Sequence, residues 1–310
     1  MTEPALVLIV GPTAVGKTEI SIQIAERLGG EIVSADSRLF YRGMDIGTAK
    51  PTPDQRARIP HHLIDVTDPD DTWSLAVFQR QATRAIADIH ARNRLPFLVG
   101  GTGQYLRAVT EGWSPPAVAP DARLREVLES LAQERGRQWL HDALVRLDPQ
   151  AASAIDSRNL RRTIRALEVI LTSGVPFSKQ RTQALPRYRI LTLGLIRPRT
   201  ELYRRVDERI ETMFAAGLLA EVQALLDQGY GPDLATMSAI GYREATAVLR
   251  GEIDEQQAKA RMRRLTRAFV RRQSNWFKAD DPSIDWFEAG DAGVLEVIER
   301  HIRNWLAKQA

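Results

Sequence analysis

Residues Gly11-Pro12-Thr13-Ala14-Val15-Gly16-Lys17-Thr18 satisfy every fixed position of the G-x-x-x-x-G-K-[ST] phosphate loop. Such a loop works only between a strand and a helix, so it dictates its own surroundings. Both flanks comply. The apolar run Leu6-Val7-Leu8-Ile9-Val10 leads in, and Glu19-Ile20-Ser21-Ile22-Gln23-Ile24-Ala25 follows with helical character. The glycines let backbone N–H groups turn toward an anion, and the helix N-terminus adds partial positive charge. The eight residues are therefore expected to hold a diphosphate or triphosphate. Lys17 should reach the outer phosphates, and the Thr18 hydroxyl should serve Mg²⁺.

Strand and helix patterns alternate from Leu6 to about Thr110, which implies a parallel sheet. Glu31–Ala35 is a second short strand, ending at Asp36. His62–Val66 is a third, and Leu95–Val99 runs into Gly100-Gly101-Thr102-Gly103. Ala76–Ala91 has helical spacing, with Val77, Ala85, Ile86 and Ile89 as expected buried positions. The fold class is α/β, with a nucleotide-kinase-like parallel core. Ligands in such sheets sit at the C-terminal strand ends, where Asp36 and Thr102 fall beside the loop.

The pattern then changes. Trp113–Pro120 reads as a Pro-rich connector, and from Asp121 to about Gln183 only helical periodicity is present. Leu160, Ile164, Leu167 and Leu171 form one apolar stripe, with Arg158, Arg161, Arg162 and Arg165 off it. A strand pattern returns at Arg189–Ile196. The rest is helical apart from a short strand near Ile284–Phe287. The simplest division is a discontinuous core, 1–114 and 188–310, interrupted by an all-helical insertion, 115–187.

No apolar run approaches the ~20 residues of a membrane span, and Met1–Pro4 is too short and polar for a signal peptide. With no cysteine, disulfides, thiolate metal sites and thiol nucleophiles are excluded. A cytoplasmic location is expected. The net charge is only +4, yet six of the 43 basic residues are Lys, leaving 37 Arg. Arg makes bidentate phosphate contacts and stacks on bases, although a GC-rich genome also favours it. Clustering decides between these readings. Arg158–Arg165 is one Arg-rich helix, and Arg261–Arg272 is another, with six Arg in twelve positions. In the second, Met262, Leu265, Phe269 and Trp276 follow one stripe, while Arg264, Arg267 and Arg271 share another face. A solvated face paired with acids explains one such helix. Two of them in a phosphate-binding chain favour an RNA or polyphosphate surface.

Several uses of the loop are disfavoured. No N-K-x-D motif marks a guanine site, and the strand Leu95–Val99 ends without the carboxylate that an ordinary ATPase uses for Mg²⁺. Asp36 is thus free to accept a proton from a nucleophile, with metal support or helix capping as its plainer roles. Thr13 is a donor candidate inside the loop or a simple turn residue.

The chain resembles the tRNA dimethylallyltransferase family. The resemblance is carried by Gly11–Thr18, the string from Asp36-Ser37-Arg38-Leu39 through Met44-Asp45-Ile46-Gly47-Thr48-Ala49-Lys50-Pro51, and Pro60–Val66. It continues through Gly100–Leu106, Arg165–Val169, Ile240–Glu244 and Arg272–Phe277, in order and nearly end to end. It implies transfer of a dimethylallyl group from its diphosphate to N6 of the adenine at tRNA position 37. The loop would then hold the leaving diphosphate, with Lys17, Mg²⁺ on Thr18 and a Thr13 hydroxyl stabilising developing charge. Asp36 matches the family's general base. Arg209 matches an arginine that reaches the diphosphate, with Arg205 one turn away as a substitute. The same resemblance assigns tRNA contacts to Asp36, Ser37, Arg38, Leu39, Thr102 and Arg123. It also assigns them to Arg161, Arg162, Thr163, Ile164 and Arg165, and to Ser238, Ala239, Ile240, Gly241, Tyr242 and Arg243. The expected partners are the tRNA anticodon stem-loop and dimethylallyl diphosphate, bound by a monomer. The Arg261–Arg272 helix receives no role from the resemblance.

The chain departs from the family pattern at three places. Arg38-Leu39-Phe40 replaces a common Met-Gln-Val, so Leu39 packs where a Gln would hydrogen-bond. Gln104 replaces a common Leu, and Arg161 a common Gln. The rival readings are an adenylate isopentenyltransferase, a small-molecule kinase, and an RNA-binding protein without turnover. The first does not need a helical insertion with an Arg face.

Overall fold

The computed structural model describes residues 3–71, 73–114, 116, 118–180, 182–183, 188–273, 276–278 and 280–308. Its strands are β1 (Ala5–Val10), β2 (Gly30–Ser34), β3 (His61–His62), β4 (Leu95–Gly100), β5 (Trp113–Ser114), β6 (Thr182–Gln183), β7 (Arg189–Ile196) and β8 (Asp285–Glu288). Two compact units result: Met1–Thr110 with Arg187–Ala310, and Glu111–Pro186.

The first unit is built on a six-stranded sheet of order β3-β2-β4-β1-β7-β8 in which every pairing is parallel. The apolar run of β1 lies at its centre, matched by Phe97–Gly100 on one side and Arg189–Gly194 on the other. Parallel strands covered on both faces need apolar residues throughout, which is why β1 shows no polar alternation. Its odd and even positions part cleanly. Val7 and Ile9 face the helices Lys17–Leu28, Arg199–Ala215 and Leu218–Asp227. Leu6, Leu8 and Val10 face the helix Leu75–Ala91. Two hydrophobic layers therefore clamp one sheet.

Details differ from the sequence expectation for local reasons. The third strand is only His61–His62, because Leu63 and Asp65 take positive φ (63° and 55°) and turn the chain out of the sheet. In Leu75–Ala91, Phe78 and Ala82 are buried with Ile86 and Ile89, while Val77 and Ala85 lie at the margin. The segment expected as a connector begins with β5, which pairs antiparallel with β6; Pro115 and Ala117 lie outside the described residues. The final strand is Asp285–Glu288, parallel to β7 at the sheet edge.

The second unit is helical: Ala122–Arg135, Arg137–Leu147, Pro149–Ala154 and Leu160–Ser173 enclose Leu128, Leu140, Leu144, Ile164 and Leu167. Asp121, Asp148 and Asn159 cap three of these helices through their side chains. Leu171, expected on the buried stripe, is 56% exposed.

Candidate functional site

All six sheet strands run the same way, so the C-terminal ends of β1, β2, β4 and β7 deliver their loops to one edge. The phosphate loop leaves β1. Ala14 (φ 68°) and Gly16 (φ 110°) take left-handed backbone, which tilts successive N–H groups into the loop. Gly11 (φ 145°) would meet the Leu195 carbonyl at 2.6 Å if it carried a Cβ. The Lys17 ammonium donates to the Gly11 and Pro12 carbonyls, both at 2.9 Å. Burial pushes its pKa down to about 8, with the Asp36 carboxylate opposing that shift and Arg209 adding to it. These three side chains thus share one electrostatic neighbourhood.

Asp36 follows β2 and is half-buried. One carboxylate oxygen accepts the Arg38 N–H at 3.0 Å, which fixes the turn and leaves further acceptor positions. β4 separates β2 from β1, so Asp36 and the loop lie about two strand spacings, ~10 Å, apart. Between them run Gly100-Gly101-Thr102-Gly103. The glycines have a packing cause. A Cβ on Gly100 would meet the Ala35 carbonyl oxygen at 2.7 Å. One on Gly101 would collide with Gln273, and one on Gly103 with the Trp276 ring.

The helix Arg199–Ala215 supplies the cations. Arg205 donates its Nε to the Ala14 carbonyl at 2.7 Å, and Arg197, just ahead of the helix, donates to the Val15 carbonyl at 2.8 Å. An Nη2 of each comes within 3.9 Å of the space over Gly16. Arg209, one turn on from Arg205, makes no hydrogen bond with any described residue. Burial lowers its pKa, the neighbouring Arg205 lowers it further, and Asp36 opposes both. Burying a cation without a partner is costly unless an anion is to come. Thr18 sits in the first turn of the following helix, and its side-chain hydroxyl has no partner among the described residues. Mg²⁺ commonly takes one protein oxygen plus phosphate and water oxygens, so the residues present fit it. No cluster of three or more His, Asp or Glu side chains suited to a metal occurs among the described residues.

The other predicted contact residues divide by exposure. Ser37, Arg38 and Leu39 lie at the surface to varying degree, while Phe40 is fully buried against Trp73 and Phe78. Thr102 is half-buried, its carbonyl starting the helix Gly103–Thr110. Ser238 and Arg243 are exposed and Ile240 partly so, but Ala239, Gly241 and Tyr242 are buried. The Tyr242 ring fills the space beside Gly47, and its hydroxyl donates to Glu221 at 2.6 Å. Glu221 also accepts the backbone N–H groups of Asp45, Ile46 and Gly47. Lys50 is buried on Asp45, Asp65 and the Tyr41 carbonyl. The Met44–Pro51 string is therefore scaffold, tied down by a carboxylate that sequence reading did not single out.

In the helical unit, Arg123, Arg161 and Arg162 are exposed, and their guanidinium groups make no ion pair with described residues. Thr163 and Ile164 are buried on the opposite side of the helix. Arg165 is committed inward: it bonds the fully buried Glu168 at 2.6 Å and the Val118 carbonyl at 2.8 Å. The second Arg-rich helix, Glu255–Gln273, spends Arg263 and Arg267 on Glu211 and Asp207 of Arg199–Ala215. Its Val270 is buried, and Phe269, expected on the apolar stripe, is 37% exposed. Its last residue, Gln273, reaches the phosphate loop; Ser274 and Asn275 lie outside the described residues.

A central strand feeding a phosphate loop within an all-parallel sheet defines an α/β protein of the P-loop type. The family model described as IPP transferase matches residues 39–280, and one described as isopentenyl transferase matches residues 4–61. The chain belongs to the IPP transferase family, that of the tRNA dimethylallyltransferases. It is 52% identical over 301 residues to the tRNA dimethylallyltransferase of Roseiflexus sp. strain RS-1, covering 97% of this chain and 98% of the relative. To that of Thermomicrobium roseum it is 46% identical over 305 residues, covering 98% and 92%. Among solved structures it resembles the tRNA isopentenylpyrophosphate transferase of Bacillus halodurans (TM-score 0.73, 41% identity, 99% and 98% of the two chains). It also resembles a eukaryotic dimethylallyltransferase acting on tRNA (TM-score 0.82, 25% identity, 98% and 80%).

Proposed function

We propose that this protein transfers the dimethylallyl group of dimethylallyl diphosphate to N6 of the adenosine at tRNA position 37. The products are N6-isopentenyladenosine and diphosphate. The observation that carries this reading is the shared neighbourhood of Lys17, Asp36 and Arg209 at one end of the sheet, Arg209 making no hydrogen bond among the described residues. The loop binds the diphosphate through its N–H groups and Lys17. As the allylic C–O bond breaks, its electron pair leaves with the diphosphate. Arg209, Arg205 and a Thr13 hydroxyl meet the growing charge there. Bound Mg²⁺ on Thr18 would neutralise phosphate charge. The adenine amine has a delocalised lone pair and is a weak nucleophile. As its nitrogen bonds to the allylic carbon, Asp36 takes the N6 proton, an assistance of about 10²–10⁴.

Reaching this site requires the base to leave the anticodon-loop stack, at a few kcal/mol. We assign that binding energy to the exposed Arg123, Arg161, Arg162, Ser238 and Arg243. The acceptor is the anticodon stem-loop, and the enzyme acts as a cytoplasmic monomer. The IPP transferase match runs through the whole helical unit, which favours tRNA over free AMP as acceptor. Incubation with labelled donor and either tRNA or AMP should label the tRNA alone; labelling of AMP alone would overturn the reading. Asp36→Ala should keep tRNA affinity within severalfold and lower the single-turnover rate by ~10²-fold or more. A near-wild-type rate would remove Asp36 as the base.

A further inference from the structure

The backbone N–H of Thr13 does not point to an empty loop. It donates to Oε1 of Gln273 at 2.7 Å, and Nε2 of the same amide donates to the Gly101 carbonyl at 3.3 Å. Gln273 is only 5% exposed. Both ends of its carboxamide are engaged, so its orientation is fixed: a flipped amide would set donor against donor and acceptor against acceptor. One side chain thus joins the loop after β1, the turn after β4 and the last turn of the Arg-rich helix. The join is close. Gly101 has room for Gln273 only because it lacks a Cβ, and Trp276 closes on Gly103 in the same way.

We propose that Gln273 is a positioning residue that sets Thr13 for departure of the diphosphate, an inference that rests on the role given to Thr13 above. The Thr13 N–H is spent on Gln273 and is withdrawn from the anion. The hydroxyl, unpartnered among the described residues, is the donor that Thr13 has left. Its place is set by a backbone that Gln273 holds. Gln273 touches no reacting atom; it acts through Thr13. In a preorganised site, a displacement of about 1 Å is enough to slow chemistry by ~10²-fold. The Arg261–Arg272 segment thereby gains a role that does not involve RNA: the helix ends in the latch of the phosphate loop.

The test is a double-mutant cycle read by single-turnover rate, with donor and tRNA affinities and thermal midpoints measured beside it. Gln273→Leu should slow the chemical step by roughly 10- to 10²-fold while tRNA affinity stays within about twofold. Thr13→Ala should slow it comparably. Adding Gln273→Leu to Thr13→Ala should then cost nothing further, because the hydroxyl to be positioned is gone. In a Thr13→Ser background, which keeps the hydroxyl, the full effect of Gln273→Leu should return. Equal slowing by Gln273→Leu in the wild-type and Thr13→Ala backgrounds would overturn the proposal, as would a wild-type rate for Gln273→Leu. A wild-type rate for Thr13→Ala would instead overturn the Thr13 role itself, and this proposal with it. Gln273→Met, similar in volume, runs the same cycle if the Leu variant does not fold.

Discussion

At the scale of single residues, Lys17 links charge to function. With its folded pKa near 8 against an ordinary 10.5, it is charged at neutral pH but loses its proton early. A bound diphosphate favours the charged form. Above about pH 8, donor binding must therefore draw in a proton, and affinity should fall by about tenfold per pH unit until the pKa of the complex is reached. Calorimetry of an unreactive donor analogue at pH ~8.5 should show proton uptake across buffers of different ionisation enthalpy, and at pH ~6.5 none from this group. Folding responds in the opposite sense. Between about pH 8 and 10.5 the unfolded chain holds the proton and the native one does not, so this group's contribution to stability rises with pH there. Below pH 8 the burial penalty is present in full. Gly11–Thr18 and Asp36 could be singled out in the sequence because each lies in a short, recognisable string. Gln273 was not, since nothing in a helix-terminal Gln announces a partner 260 positions earlier.

At the scale of elements, the helix Leu160–Ser173 separates two kinds of arginine that its sequence presents as one cluster. Arg161 and Arg162 face solvent with no side-chain partner among the described residues, whereas Arg165 and Arg125 hold the buried Glu168. Alanine at Arg161 or Arg162 should weaken tRNA binding and reduce the slope of log affinity against log salt by about one each. Arg165→Ala should mainly destabilise the helical unit, by about 1–3 kcal/mol in chemical denaturation, because Glu168 loses a charged partner in a dry setting. If Arg165→Ala instead changed the salt slope with stability intact, its inward commitment would be wrong. The same division runs through Glu255–Gln273, where Arg263 and Arg267 answer acids on a neighbouring helix. Helical periodicity told which positions share a face. It did not tell which faces meet acids, since those acids lie some fifty to sixty residues away. The overlong third strand has a similar cause: His62–Val66 is apolar enough, and only the positive φ of Leu63 and Asp65 ends it.

At the scale of the whole molecule, the phosphate loop and the exposed Arg161–Arg162 pair belong to separate units, each with its own core. The pairing of Trp113 with Gln183 and Ser114 with Thr182 brings the two chain crossings side by side. Replacing Glu111–Pro186 by a short flexible linker should therefore leave a folded core. A donor analogue should still raise its thermal midpoint, and tRNA affinity should collapse; loss of the analogue's effect would mean that the core depends on the unit removed. The alternation of strand and helix made the parallel core readable in advance, whereas the six-strand order β3-β2-β4-β1-β7-β8 is a product of packing that no local pattern encodes. The Met44–Pro51 string carries a last consequence. Held by Glu221, Tyr242 and Lys50, it is tied into the scaffold of the first unit. On the roles proposed above, a duplicated gene that had lost Asp36 would keep that string, since its packing does not involve Asp36. Genome surveys that sort working enzymes from silent paralogues should therefore look to positions 13, 36 and 273.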